Sequence, residues 1–369
     1  MPGTIIIPVY NKHNLVRKCV LSIINSFPSC VMINIIDNAS DDLTITLLQQ
    51  LQSEFNNINV IYNKENIGFA RAVNQGLRMI EGDWCGIVNS DTEFDKESVS
   101  RLLNYVQNDK GSLFGPVTNY TGSRQIINVY ANRKKFIAEF FTRQKSIAYE
   151  VERITGFAIF GANEIFEDVS EFDTSFIGGN FEDDDYILRA LLKGYKVKIA
   201  NDVYVEHLGH SSYGGMSDRF IKIIEKNKRI FLNKWLKNST QKYVAQYIYL
   251  HSDKKEDKAQ ILQNFSSDYY IMLNRAIELY ESKNYIETNE TLKKILNSRD
   301  DDPFLYLFYG LSLYKLNRLD EALEFLKKSI EIRFFDRDAL SKIARIYNEK
   351  SDILKAKDYI NILYCFVKH

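Results

Sequence analysis

TIIIPVYN, residues 4–11, is an apolar run closed by proline, tyrosine and asparagine. A run without polar alternation suits a strand buried on both faces, as in a parallel sheet covered by helices. Helical spacing follows from Leu15 to Ile24, and VMINIIDNAS, residues 31–40, repeats the strand-like run and its polar ending. Helix is predicted next over Leu43–Phe55, strand over NVIYN at 59, helix over Phe69–Met79, and strand over WCGIVNSD at 84. This βαβαβαβ opening predicts an α/β open sheet. In such sheets ligands bind beyond the carboxyl ends of the strands, which here are Pro8–Asn11, Asp37–Asp42 and Asn89–Asp91.

The 369 residues are 45% hydrophobic and 26% charged, a globular composition with chain enough for two domains. Lys plus Arg and Asp plus Glu both number 48, so no global basic field favours nucleic acid or an anionic membrane, and an anionic ligand must be held locally. No apolar run approaches the roughly 20 residues of a membrane span, and no leader pattern is seen, so a cytoplasmic protein without a transmembrane segment is expected. Cys19, Cys30, Cys85 and Cys365 lack CxxC spacing, which suits reduced thiols. GxxxxGK[ST], a GxGxxG after the first strand, and HExxH are all missing.

After about residue 240 the chain becomes helical and rich in Tyr, Leu, Lys and Glu. TLKKIL at 291 and FLKKSI at 325 are 34 residues apart, and the same offset relates Ala276, Gly310 and Ala344. It also relates Thr288, Ala322 and Ala356, and Leu292, Leu326 and Ile360. Small residues at two places per period let paired helices approach closely, with large apolar residues between them. Three such copies over 268–369, the clearest being YGLSLYKLNRLDEALEFLKKSIEI, resemble tetratricopeptide repeats. The expected division is 1–240, a helical linker at 241–267, and repeats at 268–369, with a protein or peptide partner at the repeats.

Six motifs stand in order along the first 215 positions: PVYN at 8, DNASDD at 37, NIGFARAVNQG at 66, NSDTEF at 89, EDDDYILRALLKGY at 182 and EHLGHSS at 206. Together they resemble the inverting glycosyltransferases of family 2, which have the GT-A fold, over about 3–215. The resemblance implies a UDP-sugar donor, UDP-GlcNAc being one candidate, and a divalent cation, Mn2+ or Mg2+. It implies Pro8, Tyr10 and Asn11 beside uracil and ribose, and Asp37 as acceptor for the base. A carboxylate after a strand also serves as a helix cap, the role expected of Asp41 and Asp42. Gly68 permits close backbone approach, Asn66 and Asn74 fix either the turn or the ligand, Phe69 falls among the donor-binding residues, and Arg71 either meets a phosphate or is an exposed helix arginine. Ser90 and Asp91 fall at the family's Asp-x-Asp position, where Asn89 replaces the first aspartate. Asp91 is then the metal ligand, joined by His207, with His210 as the alternative.

The run YILRALL predicts a helix beginning near Asp184 or Asp185. Successive helix positions turn by about 100°, so four adjacent carboxylates cannot address one ligand. The family register matches Asp183 to the general base that deprotonates the acceptor hydroxyl, and Glu182 to a supporting acid. Asp184 and Asp185 are expected to be solvated or dipole-compensating, Asp184→Asn to be nearly silent, and Arg189 to pair with one of the acids. Gly156, in TGFAIF, is expected to leave room for the donor sugar. Related bacterial enzymes with repeats modify flagellin or adhesins, which makes a protein hydroxyl one expected acceptor. Saccharide extension in capsule, wall or O-antigen assembly is the alternative, and an inactive nucleotide-binding scaffold is the alternative of another class.

Overall fold

A computed structural model describes residues 1–127, 129, 133–208 and 218–364. The chain forms two compact units, 1–126 with 151–234, and 127–150 with 235–369. Among the described residues no helix is long and apolar enough to cross a membrane.

The first unit opens with β1 (Gly3–Val9), α1 (His13–Ser26), β2 (Val31–Asp37), α2 (Asp42–Glu54), β3 (Ile58–Tyr62), α3 (Phe69–Leu77) and β4 (Trp84–Val88). The expected βαβαβαβ order is present, with boundaries within two or three residues of those read from the sequence. β5 (Thr92–Glu93), α4 (Lys96–Asn108) and β6 (Ser112–Val117) follow. The chain then leaves for α5 (Arg133–Arg143) and β7 (Ala148–Glu150), which belong to the second unit. It returns as β8 (Ala158–Ala162), α6 (Asn163–Val169), α7 (Glu182–Leu192), β9 (Lys196–Tyr204), β10 (Glu206–His207) and α8 (Asp218–Trp235).

Within this unit the strands lie in the order β3-β2-β1-β4-β8-β6-β9. β1 pairs in parallel with β2 on one side and β4 on the other, so the direction of winding reverses beside β1. That reversal opens a crevice at the carboxyl ends of these strands, where ligands of open sheets bind. β8 runs antiparallel to β4 and β6. β1 and β4 are buried throughout, and Ile5, Ile6, Ile7, Ile35 and Ile36 are fully covered. A separate antiparallel pair, β5 with β10, places His207 opposite Thr92.

The second unit contains α9 (Lys242–His251), α10 (Lys255–Asn264), α11 (Tyr269–Glu281), α12 (Tyr285–Ile295), α13 (Pro303–Lys315), α14 (Leu319–Ile332), α15 (Arg337–Glu349) and α16 (Ile353–Leu363). The period of 34 seen in the sequence reappears in the backbone. Asp268, Asp302 and Asp336 cap α11, α13 and α15 through their side chains. Lys283, Asn317 and Ser351, again 34 apart, take φ of 64°, 59° and 60° in the turns between paired helices. The excursion belongs here by packing: Phe136 and Phe140 meet Phe335 at 5.2 and 5.7 Å, and Gln144 donates to the Ile332 carbonyl at 2.6 Å and accepts from the Phe334 N–H at 3.1 Å. A division of the chain at residue 240 does not anticipate this, because 127–150 precedes the helical region by a hundred positions.

Gly310 shows why a small residue recurs. A Cβ there would lie 2.8 Å from Leu326 Cγ and 3.1 Å from the Leu326 backbone nitrogen, so α13 and α14 must separate to admit one. Gly310→Val is therefore expected to destabilise the protein by about 1–3 kcal/mol, read as a lowered urea midpoint of the helical circular dichroism signal.

Candidate active site

At the reversal beside β1, the carboxyl end of β2 carries Asp37, 1% exposed. Its Oδ2 accepts the Ser40 N–H at 3.4 Å, while its Oδ1 is buried without a hydrogen-bond partner. A buried carboxylate oxygen is costly unless something donates to it, which marks Oδ1 as a place for a ligand N–H. Around it Asn11, at φ 57°, is held by two loop contacts: its N–H donates to Ser40 Oγ at 2.7 Å and its Oδ1 accepts the Asp41 N–H at 2.7 Å. Tyr10 beside it is 49% exposed, free to meet a planar ligand, and Pro8 is buried near the end of β1. Asp41 is the cap of α2, accepting the Thr44 N–H at 2.9 Å.

The turn before α3 is fixed by Asn66, whose Oδ1 accepts the Gly68 N–H at 3.0 Å, and by Asn38, Asn63 and Gln75, which bond one another. Phe69 packs edge-on against Phe172 at 6.4 Å, and Arg71 is exposed. Asn74 is committed elsewhere. Its amide donates to the Phe172 carbonyl at 2.9 Å and accepts the Phe172 N–H at 2.7 Å, so its side chain fixes the backbone of Phe172, 98 positions on, rather than the turn before α3.

Beyond β4, half-buried Ser90 precedes Asp91, whose Oδ1 lies 3.3 Å from His207 Nε2. The pairing of β5 with β10 brings these residues together across more than a hundred positions. His207 is fixed on every side. Nδ1 is 2.8 Å from the Tyr120 carbonyl, which can only accept, so Nδ1 carries the proton and Nε2 is left to face Asp91. The Asn119 amide brackets the His207 backbone, accepting its N–H at 2.8 Å and donating to its carbonyl at 3.0 Å. Phe157 stacks on the ring at 5.1 Å. A carboxylate oxygen and an imidazole nitrogen at this spacing suit two neighbouring ligands of one divalent cation with bonds of about 2.1 Å. Among the described residues no cluster of three or more such ligands occurs, so phosphate or water oxygens would have to complete the shell. His210 lies outside the described residues.

Phe157 links this pair to the acids of α7. Its carbonyl accepts the Asn89 N–H at 2.8 Å, and its neighbour Gly156 donates its N–H to Asp183 Oδ2 at 2.7 Å. Asp183 Oδ1 accepts the Asp184 N–H at 3.0 Å. A Cβ on Gly156 would sit 3.0 Å from Asp183 Cβ, so this glycine makes room for the aspartate. Gln125, fully buried, holds the preceding residue: its Oε1 accepts the Thr155 N–H at 2.7 Å.

α7 begins at Glu182, two residues earlier than the apolar spacing suggests. Asn180 and Phe181 precede it at φ 74° and 72°, a backbone that costs non-glycine residues about 1–3 kcal/mol each. Packing of Phe181 on Phe231 offsets that cost, as does buried Asn227, which donates to the carbonyls of Ile177, Gly179 and Asn180. Glu182, Asp183, Asp184 and Asp185 are all buried. Burial, reinforced by neighbouring Asp183, raises Glu182 to about 8, and its Oε2 has no hydrogen-bond partner. Burial and then Asp184 push Asp183 up, against the pull of Arg153 and the two backbone N–H groups.

Residues 4–170 match the profile described as glycosyl transferase family 2. Over this stretch the chain is similar to family 2 glycosyltransferases. The chain is 27% identical over 216 residues to an uncharacterized glycosyltransferase of Mycoplasma genitalium, covering 55% of this chain and 66% of that one. It is 32% identical over 104 residues, 28% of this chain and 41% of the other, to a putative teichuronic acid biosynthesis glycosyltransferase of Bacillus subtilis. It is 28% identical over 116 residues, 31% of this chain and 18% of the other, to a poly(ribitol-phosphate) beta-glucosyltransferase of Bacillus spizizenii. The chain thus spans less than two thirds of these relatives. Among solved structures, S. aureus TarS 1–349 is similar at TM-score 0.46 and 14% identity, covering 97% of this chain and 90% of that one. GalNAc-T7 with UDP, GalNAc and Mn2+ is similar at TM-score 0.49 and 13% identity, covering 73% and 55%. The fold itself rests on the strand order.

The surroundings of α7 correct one reading from the sequence. Asp184 and Asp185 are not solvated. Asp184 is bound by both arms of Arg153 at 2.5 and 3.2 Å, and Asp185 by Arg189 at 2.9 Å and Lys234 at 2.7 Å. The register of α7 turns them into the interior, and cations 31 residues before and 49 after, invisible to a local pattern, balance them. Asp184→Asn is accordingly expected to cost about 2–4 kcal/mol by leaving Arg153 without its buried partner, seen as a lowered unfolding midpoint. Glu182 gives a pH signature of the opposite sense. With its folded value raised to about 8, the folded state holds a proton that the unfolded state has released, so stability falls as pH rises from the ordinary carboxylate range towards 8. Glu182→Gln removes that dependence, so its melting temperature relative to wild type is expected to climb between pH 5 and 8.

Proposed function

We propose that the chain is a metal-dependent, inverting glycosyltransferase that moves a sugar from a UDP-sugar to an acceptor hydroxyl. The observation that carries this reading is the continuous set of contacts from Asp91 and His207 through Phe157 and Gly156 to Asp183, at the carboxyl ends of the strands. On this reading uracil donates to the unpartnered Asp37 Oδ1 and lies against Tyr10 and Asn11. Asp91 and His207 hold Mn2+ or Mg2+, which when bound neutralises charge on the diphosphate leaving group.

Asp183 accepts the proton of the acceptor hydroxyl as its oxygen bonds to the anomeric carbon from the face opposite the departing diphosphate. Two backbone N–H groups hold the carboxylate in place, and its burial strengthens it as a base. Glu182, with one oxygen unpartnered, is suited to orient the acceptor. The helices from 268 onwards are read as three tetratricopeptide repeats that hold the acceptor or a partner protein, supported by caps and turns recurring every 34 residues.

Two acceptor classes follow. A serine or threonine hydroxyl of a surface protein fits a repeat module that holds peptide. A wall or teichoic-type polymer is favoured by the names of the Bacillus relatives. Incubation with labelled UDP-GlcNAc or UDP-glucose and Mn2+, with protein and polymer acceptors supplied separately, distinguishes them by where the label appears. Asp183→Asn is expected to reduce transfer by about 10² to 10⁴ while UDP binding by calorimetry is kept. Full transfer by that variant would overturn the assignment of the base.

A further inference from the structure

The candidate base is held through Gly156, and nothing in Gly156 itself fixes its N–H. Its predecessor does. Thr155 sends its N–H to Gln125 Oε1 at 2.7 Å and its hydroxyl to the same oxygen at 3.0 Å, with a second hydroxyl contact to Thr121 at 2.7 Å. Gln125 is fully buried, and its Nε2 donates to the Pro116 carbonyl in β6 at 2.8 Å. Ser123 Oγ adds a third donor to Oε1 at 3.1 Å. Gln125 therefore clamps Thr155 to β6, a strand of the sheet, and Gly156 presents its N–H from that fixed point.

Resting on the reading of Asp183 as base, we propose that Gln125 is a positioning residue for the reaction, setting the Asp183 carboxylate through Thr155 and Gly156. The requirement is geometric. A base works only within hydrogen-bond reach of the proton it takes, and a displacement near 1 Å costs about a hundredfold. Gln125 also governs charge. Against burial and Asp184, which disfavour the ionised carboxylate, the Gly156 N–H favours it together with Arg153 and the Asp184 N–H. Loosening the Thr155 anchor therefore moves both the position of Asp183 and the pH at which it ionises.

The test uses the full chain with Mn2+, measuring UDP release from UDP-GlcNAc or UDP-glucose against pH. Gln125→Met, which keeps size but removes both hydrogen-bonding ends, is expected to lower kcat by about 10- to 100-fold. The acid limb of kcat/KM should move to higher pH, with UDP affinity by calorimetry within twofold of wild type. Thr155→Val, which loses only the hydroxyl contacts, should lower kcat about threefold or more with the acid limb moving the same way. It serves also if Gln125→Met does not fold. A folded variant with unchanged kcat and acid limb, or one whose UDP affinity falls in step with kcat, overturns the proposal. Asp183→Asn alongside separates the outcomes: if it is inactive while Gln125→Met is unaffected, only the role of Gln125 fails, and if it is active the base assignment fails first.

Discussion

Four acids in the first turn of one helix, all withdrawn from water, would repel one another if all were ionised, and partners elsewhere in the first unit hold them there. The sign of the helix dipole at α7 helps, but its effect is about 1 kcal/mol per charge, up to about 2 where partly buried. The larger share comes from named partners. Arg153 grips Asp184, while Arg189 and Lys234 hold Asp185. Asp183 is hydrogen-bonded by backbone N–H groups, with Arg153 acting on it through its charge, and Glu182 keeps an open oxygen. The helix thus sorts its own acids: two are neutralised by full counter-charges and hold the turn in place, and two keep capacity for chemistry. That division follows from which partners reach each carboxylate.

Much of the fold could be read in the sequence, because it rests on short-range signals. TIIIPVYN and VMINIIDNAS are buried strands whose composition shows it, and Asp41 is a cap by position. The period of 34 was visible as small residues and then reappeared in caps and left-handed turns. Among the partners of the α7 acids, Arg189 was read from the sequence, but pairing of Asp184 with Arg153 or of Asp185 with Lys234 was not visible, since it depends on how distant segments cross. Gln125 and Asn119 are missed for a similar reason: each acts through the backbone of another residue, and an amide in a loop carries no local mark of that. Asn180 and Phe181 in left-handed conformation could not be inferred either, because the compensation comes from Asn227 on a helix nearly fifty residues later.

The contrast between Asp37 and His207 shows two ways of preparing a site. His207 is locked by ring stacking, a carbonyl at Nδ1 and an amide bracket on its backbone, so one nitrogen is presented in one direction. Asp37 is left incomplete, with one buried oxygen lacking a donor. Under the proposed function, the first arrangement fixes where a ligand goes, and the second makes its arrival favourable by leaving one hydrogen bond for it to supply.

The excursion at 127–150 has a bearing on how the molecule can be taken apart. Phe136 and Phe140 leave the chain of the sheet-bearing unit to pack on Phe335, and Gln144 closes on the backbone of Ile332 and Phe334. A fragment cut after residue 234 would keep these aromatic side chains and lose the surface they cover, leaving them exposed. The catalytic and helical halves are separable on paper by sequence number but share a thread, and efforts to express either alone must take residues 127–150 into account.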